Sequence, residues 1–163
     1  MQKCVFSELE GLRIAAEMEK RGGEFYTLAA RVSLNEETKA LLRALAADEA
    51  IHLREFQRLY EREAAKQDKQ HHTGEAGALL TALAADIAFP KGVVSLAGKL
   101  ENQRAILEHS IQSEKDSIRF YGALAADEAC AESAKIFEDI IRQEHGHLIR
   151  LEKMLADVIK HID

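Results

Sequence analysis

Residues 49–53 read EAIHL and residues 144–148 read EHGHL, a Glu-x-x-His-Leu unit that recurs after 95 positions. The same displacement, without a gap, lays EKRGGEFY at 19–26 on EKDSIRFY at 114–121. Glu, Lys, Phe, Tyr, Glu, His and Leu all match, whereas most other positions keep only their polarity. Self-similarity at a fixed offset marks two copies of one supersecondary unit. The matched polar residues are those that helix packing alone does not require.

The surrounding sequence makes each unit helical. Ala, Leu, Glu, Lys and Arg dominate, Pro90 is the only proline, and apolar residues recur at three- and four-residue intervals. The spacing predicts four long helices. The first opens on a capping-box pattern, Ser7 with Glu10, and runs to about Val32 on a stripe of Leu9, Leu12, Ala16, Tyr26 and Ala30. Asn35 suits the N-cap of a second helix carrying Leu42, Leu45, Phe56 and Leu59. The third carries Leu100, Leu107, Tyr121 and Leu124, and the fourth Phe137, Ile140, Leu148, Leu151 and Met154.

The segment between the second and third helices is far longer than a turn and contains a short amphipathic piece, GALLTALAADIAF. Two hairpins joined by one long crossover form the ferritin-like four-helix bundle, whereas an up-down-up-down bundle uses three short loops. The chain of 163 residues is therefore expected to be one all-α domain over 1–163. Its parts are a first hairpin at about 7–66, a crossover at about 67–94 and a second hairpin at about 95–162.

Helical phase sorts the acids. Glu19 stands seven residues from both Leu12 and Tyr26 and so points inward, while Glu24, five positions on, is rotated by roughly 140° toward solvent. The same test aligns Glu114 with Leu107 and Tyr121, Glu49 with Leu42 and Phe56, His52 with Leu45 and Leu59, Glu144 with Phe137 and Leu151, and His147 with Ile140 and Met154. Lys20 and Lys115 point elsewhere. Burying even one ionised carboxylate costs several kcal/mol, so four need partners. Two divalent cations supply four positive charges against them, and two neutral imidazoles complete the coordination. Glu and His at i and i+3 on two helices, with one Glu from each of two others, is the spacing of a two-metal carboxylate site.

With these six residues in register, the chain resembles the rubrerythrin and bacterioferritin branch of the ferritin-like superfamily over nearly its whole length apart from the crossover. The resemblance implies two iron ions, with manganese or zinc as alternatives, bridged by Glu49 and Glu144 and held terminally by Glu19, Glu114, His52 and His147. Tyr26 and Tyr121 match tyrosines that bond to the ligands in this superfamily. Departures narrow the subtype. No CxxC pair is present for a rubredoxin-like iron site, Ser117 stands where rubrerythrins carry a further glutamate, and Ala50 stands where bacterioferritins carry a haem-ligating methionine, so no haem is expected. Only 16 residues follow His147, too few for the fifth helix of a ferritin cage.

The implied activity is that of a non-haem di-iron oxidoreductase, reducing hydrogen peroxide or dioxygen with electrons from an external donor such as a rubredoxin-like protein. A ferroxidase or iron-handling protein is the second reading, and a metal-stabilised interaction module without turnover the third. The net charge of −6, from 28 acids against 22 bases, and the lack of a basic stripe argue against nucleic acid. No apolar run suits a signal peptide or a membrane span, which places the chain in the cytoplasm. The apolar stripe through Val158, Ile159 and Ile162 suggests a homodimer. His71 and His72 in the crossover read as a polar turn beside Gly74 in preference to a metal site, and the repeat pairs His109 with Ile14 and His145 with Ala50, so it does not support either as a ligand. Gly22 and Gly23 admit either a close helix crossing, the favoured reading, or room beside Glu19 for a small oxidant.

Overall fold

A computed structural model describes residues 7–66, 102–127 and 130–161. The predicted crossover, with His71, His72 and the amphipathic piece at 77–89, lies outside the described residues, as do Leu100 and Ile162. Four helices follow one another: α1 (Glu8–Val32), α2 (Glu36–Lys66), α3 (Gln103–Ala125) and α4 (Ala134–Lys160). No strand occurs among the described residues. Helix α1 packs chiefly on α2 and α3 on α4, giving the two hairpins of an all-α, ferritin-like four-helix bundle.

The helix ends follow the local sequence. Ser7 Oγ accepts from the Glu10 amide while the Glu10 carboxylate accepts from the Ser7 amide at 2.7 Å, closing the capping box in both directions. Asn35 Oδ1 accepts from the Thr38 amide and Asn102 Oδ1 from the Ala105 amide, each at 2.9 Å. The α4 N-terminus is capped from the other hairpin. Ser133 offers no side-chain cap of its own, and Glu8 Oε1 accepts instead from its amide at 3.0 Å and its hydroxyl at 2.6 Å.

The predicted stripes form the core. Leu12, Leu42, Leu45, Phe56, Leu107, Tyr121, Phe137 and Leu151 are fully enclosed, with Leu148 and Met154 packed against them at the margin. Cys130 is buried as well, and Glu24 is exposed. At the far end of α4 Val158 packs against the core while Ile159 is exposed. No helix among the described residues is long and apolar enough to cross a membrane.

Phe56 is a keystone of this core, its ring centroid 5.4 Å from that of Tyr121 and 5.5 Å from that of Phe137. Truncating a buried phenylalanine costs about 3–5 kcal/mol, whereas a surface substitution stays within about 0.5 kcal/mol. Phe56→Ala should therefore lower the urea midpoint of the metal-free protein far more than Leu34→Ala, at a position 97 % exposed. Similar midpoints for the two variants would contradict this packing.

Candidate metal centre

All six polar residues expected in the interior are there: Glu19, Glu49, His52, Glu114, Glu144 and His147 are each no more than 3 % exposed. One comes from α1, two from α2, one from α3 and two from α4. The i, i+3 spacing of Glu and His sets both on the inner face of α2 and of α4, and the single glutamates of α1 and α3 meet them.

The ligand atoms gather in two overlapping sets, Glu19, Glu49, His52 and Glu144 in one and Glu49, Glu114, Glu144 and His147 in the other, each lying within 4.8 Å of one another. Glu49 and Glu144 belong to both. His52 Nδ1 lies 2.9 Å from Glu144 Oε1 and 3.3 Å from Glu19 Oε2. His147 Nδ1 lies 2.8 Å from Glu144 Oε2, 3.4 Å from Glu49 Oε1 and 3.6 Å from Glu114 Oε1. Close as these contacts are, both Nδ1 atoms, both oxygens of Glu144 and Glu19 Oε2 lack a partner in hydrogen-bond geometry. Buried polar atoms are rarely left so. Donors that converge without bonding one another are what shared ions require, and two ligands about 2.1 Å from one ion at right angles stand about 3 Å apart. The donor set fits two divalent cations, with Glu49 and Glu144 common to both.

The outward sides of the ligands are bonded. Tyr26 on α1 donates to Glu114 Oε1 on α3 at 2.5 Å, and Tyr121 on α3 donates to Glu19 Oε1 on α1. Each tyrosine thus serves the glutamate of the opposite hairpin rather than the one seven residues before it. His52 Nε2 meets Gln143 Oε1 and His147 Nε2 meets Asp48 Oδ2, both at 3.2 Å and both across hairpins. These bonds put the ring proton on Nε2 and leave Nδ1 free to ligate. Arg150 Nη2 donates to the same Asp48 oxygen at 3.0 Å. Sequence reading did not single out Asp48 and Gln143, although a signal was available. They are repeat equivalents, each immediately preceding the glutamate of its Glu-x-x-His unit.

Charges in this buried cluster act strongly on one another. Burial and the Glu19 and Glu144 charges push Glu49 well above the usual carboxylate range, and burial with Glu144 raises Glu114 to about 8 against the pull of His147. Burial alone would lower the histidines, but Glu144 and Glu19 hold His52 up at about 11, and Glu114 and Glu144 hold His147 at about 10. Glu144 is pushed up by burial yet held well below its ordinary value by His147 and His52. Burial first, and the glutamates second, push both tyrosines well above the ordinary phenol value, so they remain hydrogen-bond donors.

Gly23 does not mark a forced close crossing. A methyl placed on it would lie 3.6 Å from Glu49 Cβ, an ordinary contact. Gly23 instead lines a groove of about 500 Å³ between α1 and α2 that reaches Glu19. At Gly23 the helices are in contact but do not require glycine, and its place on the groove supports the reading that leaves room.

Among known proteins, the Rubrerythrin family model matches residues 105–163. That span holds Glu114, Tyr121, Glu144 and His147, and the repeat carries the same residue types into the first hairpin as Glu19, Tyr26, Glu49 and His52. No match was found among curated proteins or among solved structures. With its two helical hairpins, this chain has the ferritin-like four-helix fold, and over the second hairpin it is similar to the Rubrerythrin family.

Proposed function

We propose that this chain is a non-haem di-iron carboxylate oxidoreductase, reducing hydrogen peroxide or dioxygen with electrons from a separate donor. The observation that supports it is the pair of overlapping donor sets sharing Glu49 and Glu144. Two bound iron ions would supply one electron each, matching the two electrons and two protons that convert hydrogen peroxide into two waters. The protein contributes position, charge and exclusion of water. Tyr26 and Tyr121 orient the terminal carboxylates Glu114 and Glu19, and Asp48 and Gln143 fix the imidazoles. Phe25 packs beside Tyr26 and Phe56 beside Tyr121, closing the tyrosine flanks to solvent.

The groove at Gly23 also favours a second reading, in which iron enters, is oxidised and leaves. Anaerobic stopped-flow mixing of the ferrous protein with peroxide, and separately with dioxygen, distinguishes the two. Under the first reading peroxide oxidises the site faster, the reaction stops after one turnover without added donor, and the ferric ions stay bound. Faster oxidation by dioxygen with release of ferric iron would assign the ferroxidase reading instead.

Three further outcomes are expected. Metal analysis should find two ions per chain, with Glu114→Ala reducing that number sharply and Glu24→Ala leaving it unchanged. Equal effects would overturn the assignment of acids.

Metal should stabilise the fold by about 2.7 kcal/mol at a free concentration one hundred times its dissociation constant. An unchanged melting temperature at saturating metal would exclude an internal site.

The pH dependence has a definite sign. Glu114 and both histidines bind protons more tightly folded than unfolded, so their contribution is complete below their ordinary values of 4.5 and 6.5. It is lost as pH rises toward about 8 for Glu114, and toward about 10 and 11 for His147 and His52. Glu144, held low, opposes this only below its ordinary 4.5. The metal-free protein should melt at progressively lower temperature as pH rises from about 5 to about 8. The gain from metal should widen over the same range, because ligation displaces those protons. A metal-free melting temperature that climbs across this range would contradict the charge arrangement.

A further inference from the structure

The two halves of the centre are built alike except in two respects, and both fall on the same side. The first concerns the groups behind the imidazoles. His147 is backed by Asp48, a carboxylate whose Oδ2 is also held by Arg150, whereas His52 is backed by the neutral amide oxygen of Gln143. Both partners fix the ring tautomer. A carboxylate in addition makes the imidazole a stronger donor and adds negative charge behind the ion, and partners of this kind change metal affinity by about 10–100-fold. Arg150 and Asp48 are exposed to a similar degree, so the arginine offsets part of that charge and solvent weakens both, while His147 itself is 2 % exposed.

The second difference is access. The groove between α1 and α2 is lined by Gly23, Ala46 and Ala50, with the charged Lys20, Glu24 and Arg31 also on it, and reaches Glu19, which belongs to the His52 donor set alone. The repeat equivalents of Gly22 and Gly23 are Ser117 and Ile118 on α3, beside Glu114. Bulk therefore stands on the His147 side where the His52 side is open.

We propose that the two metal positions are unequal: the position faced by His147 is filled first and keeps its ion, while the position faced by His52 is filled second and exchanges its ion through the Gly23 groove. This rests on the two-metal reading above. It makes Asp48 and Gln143 positioning residues that rank the sites, with the exchangeable ion on the side that an incoming oxidant or iron ion can reach.

Cobalt(II) is a suitable probe, followed in the full chain by calorimetry and visible absorption and located in crystals by anomalous scattering. The wild type should bind two ions in two steps separated by about tenfold or more in dissociation constant, and crystals given one equivalent should hold cobalt beside His147. Asp48→Asn combined with Gln143→Glu moves the charge to the other side without changing side-chain length, at positions that are not buried. One equivalent should then appear beside His52. With both positions filled, a chelator should remove one ion faster than the other, and Ala50→Leu, which narrows the groove, should slow that faster loss. Two indistinguishable steps, cobalt still beside His147 in the charge-moved variant, or a fast loss unaffected by Ala50→Leu would each overturn the proposal while leaving two-metal binding standing. No cobalt bound by the wild type would overturn the two-metal reading itself.

Discussion

Electrical neutrality inside the bundle is the constraint on which the rest of this structure depends. Glu19, Glu49, Glu114 and Glu144 are buried together, and four like charges at such separations cannot all persist unpaired. Without metal the protein answers with protons. His52, His147, Glu49 and Glu114 all have proton affinities raised above their ordinary values, which makes four groups able to carry the compensating charge. Two divalent cations bring the same four charges. Protons and metal are thus alternative occupants of one electrostatic vacancy, and the tyrosines, raised too far to ionise, stay outside the exchange.

The bonds that define the centre also join the two hairpins. Tyr26 to Glu114, Tyr121 to Glu19, His52 to Gln143 and His147 to Asp48 all run from one hairpin to the other. Glu8 adds a fifth such link by capping Ser133. A hairpin alone holds one Glu-x-x-His unit and one further glutamate, three members of one donor set and one of the other. Ligation and hairpin docking are therefore linked events, and metal affinity includes part of the free energy of assembly.

Much of this was legible in the sequence because inward polar residues on long helices keep the phase of the apolar ones. Glu19 sits seven residues from Leu12 and Tyr26, a spacing of about two turns, and the offset of 95 then repeats the pattern. The helix starts at Ser7 and Asn35 were legible for an equally local reason, since a cap is made within four residues. What sequence spacing could not show is contact across the bundle. Tyr26 lies on the stripe of Glu19 but reaches Glu114, because a phenol is long enough to cross to the facing helix. Asp48 and Gln143 stand one residue before their glutamates, turned about 100° from them, a phase that reads as helix edge until the opposite hairpin is in place.

The remaining departures from two-fold likeness distinguish the two donor sets. A perfectly repeated centre would hold two equivalent ions, and any reactant would meet them without preference. Gln143 is on the surface, so a neutral amide there costs the fold little, whereas Gly22 and Gly23 inside α1 each cost about 1 kcal/mol relative to alanine although a methyl would fit at Gly23, which marks the pair as kept for more than packing. Neither change touches a ligand. Together they set the carboxylate-backed histidine in one donor set and the groove beside Glu19, a member of the other. Of the four glutamates only Glu19 lines the groove, so anything entering there would meet the donor set of Glu19, Glu49, His52 and Glu144 before the one that contains His147.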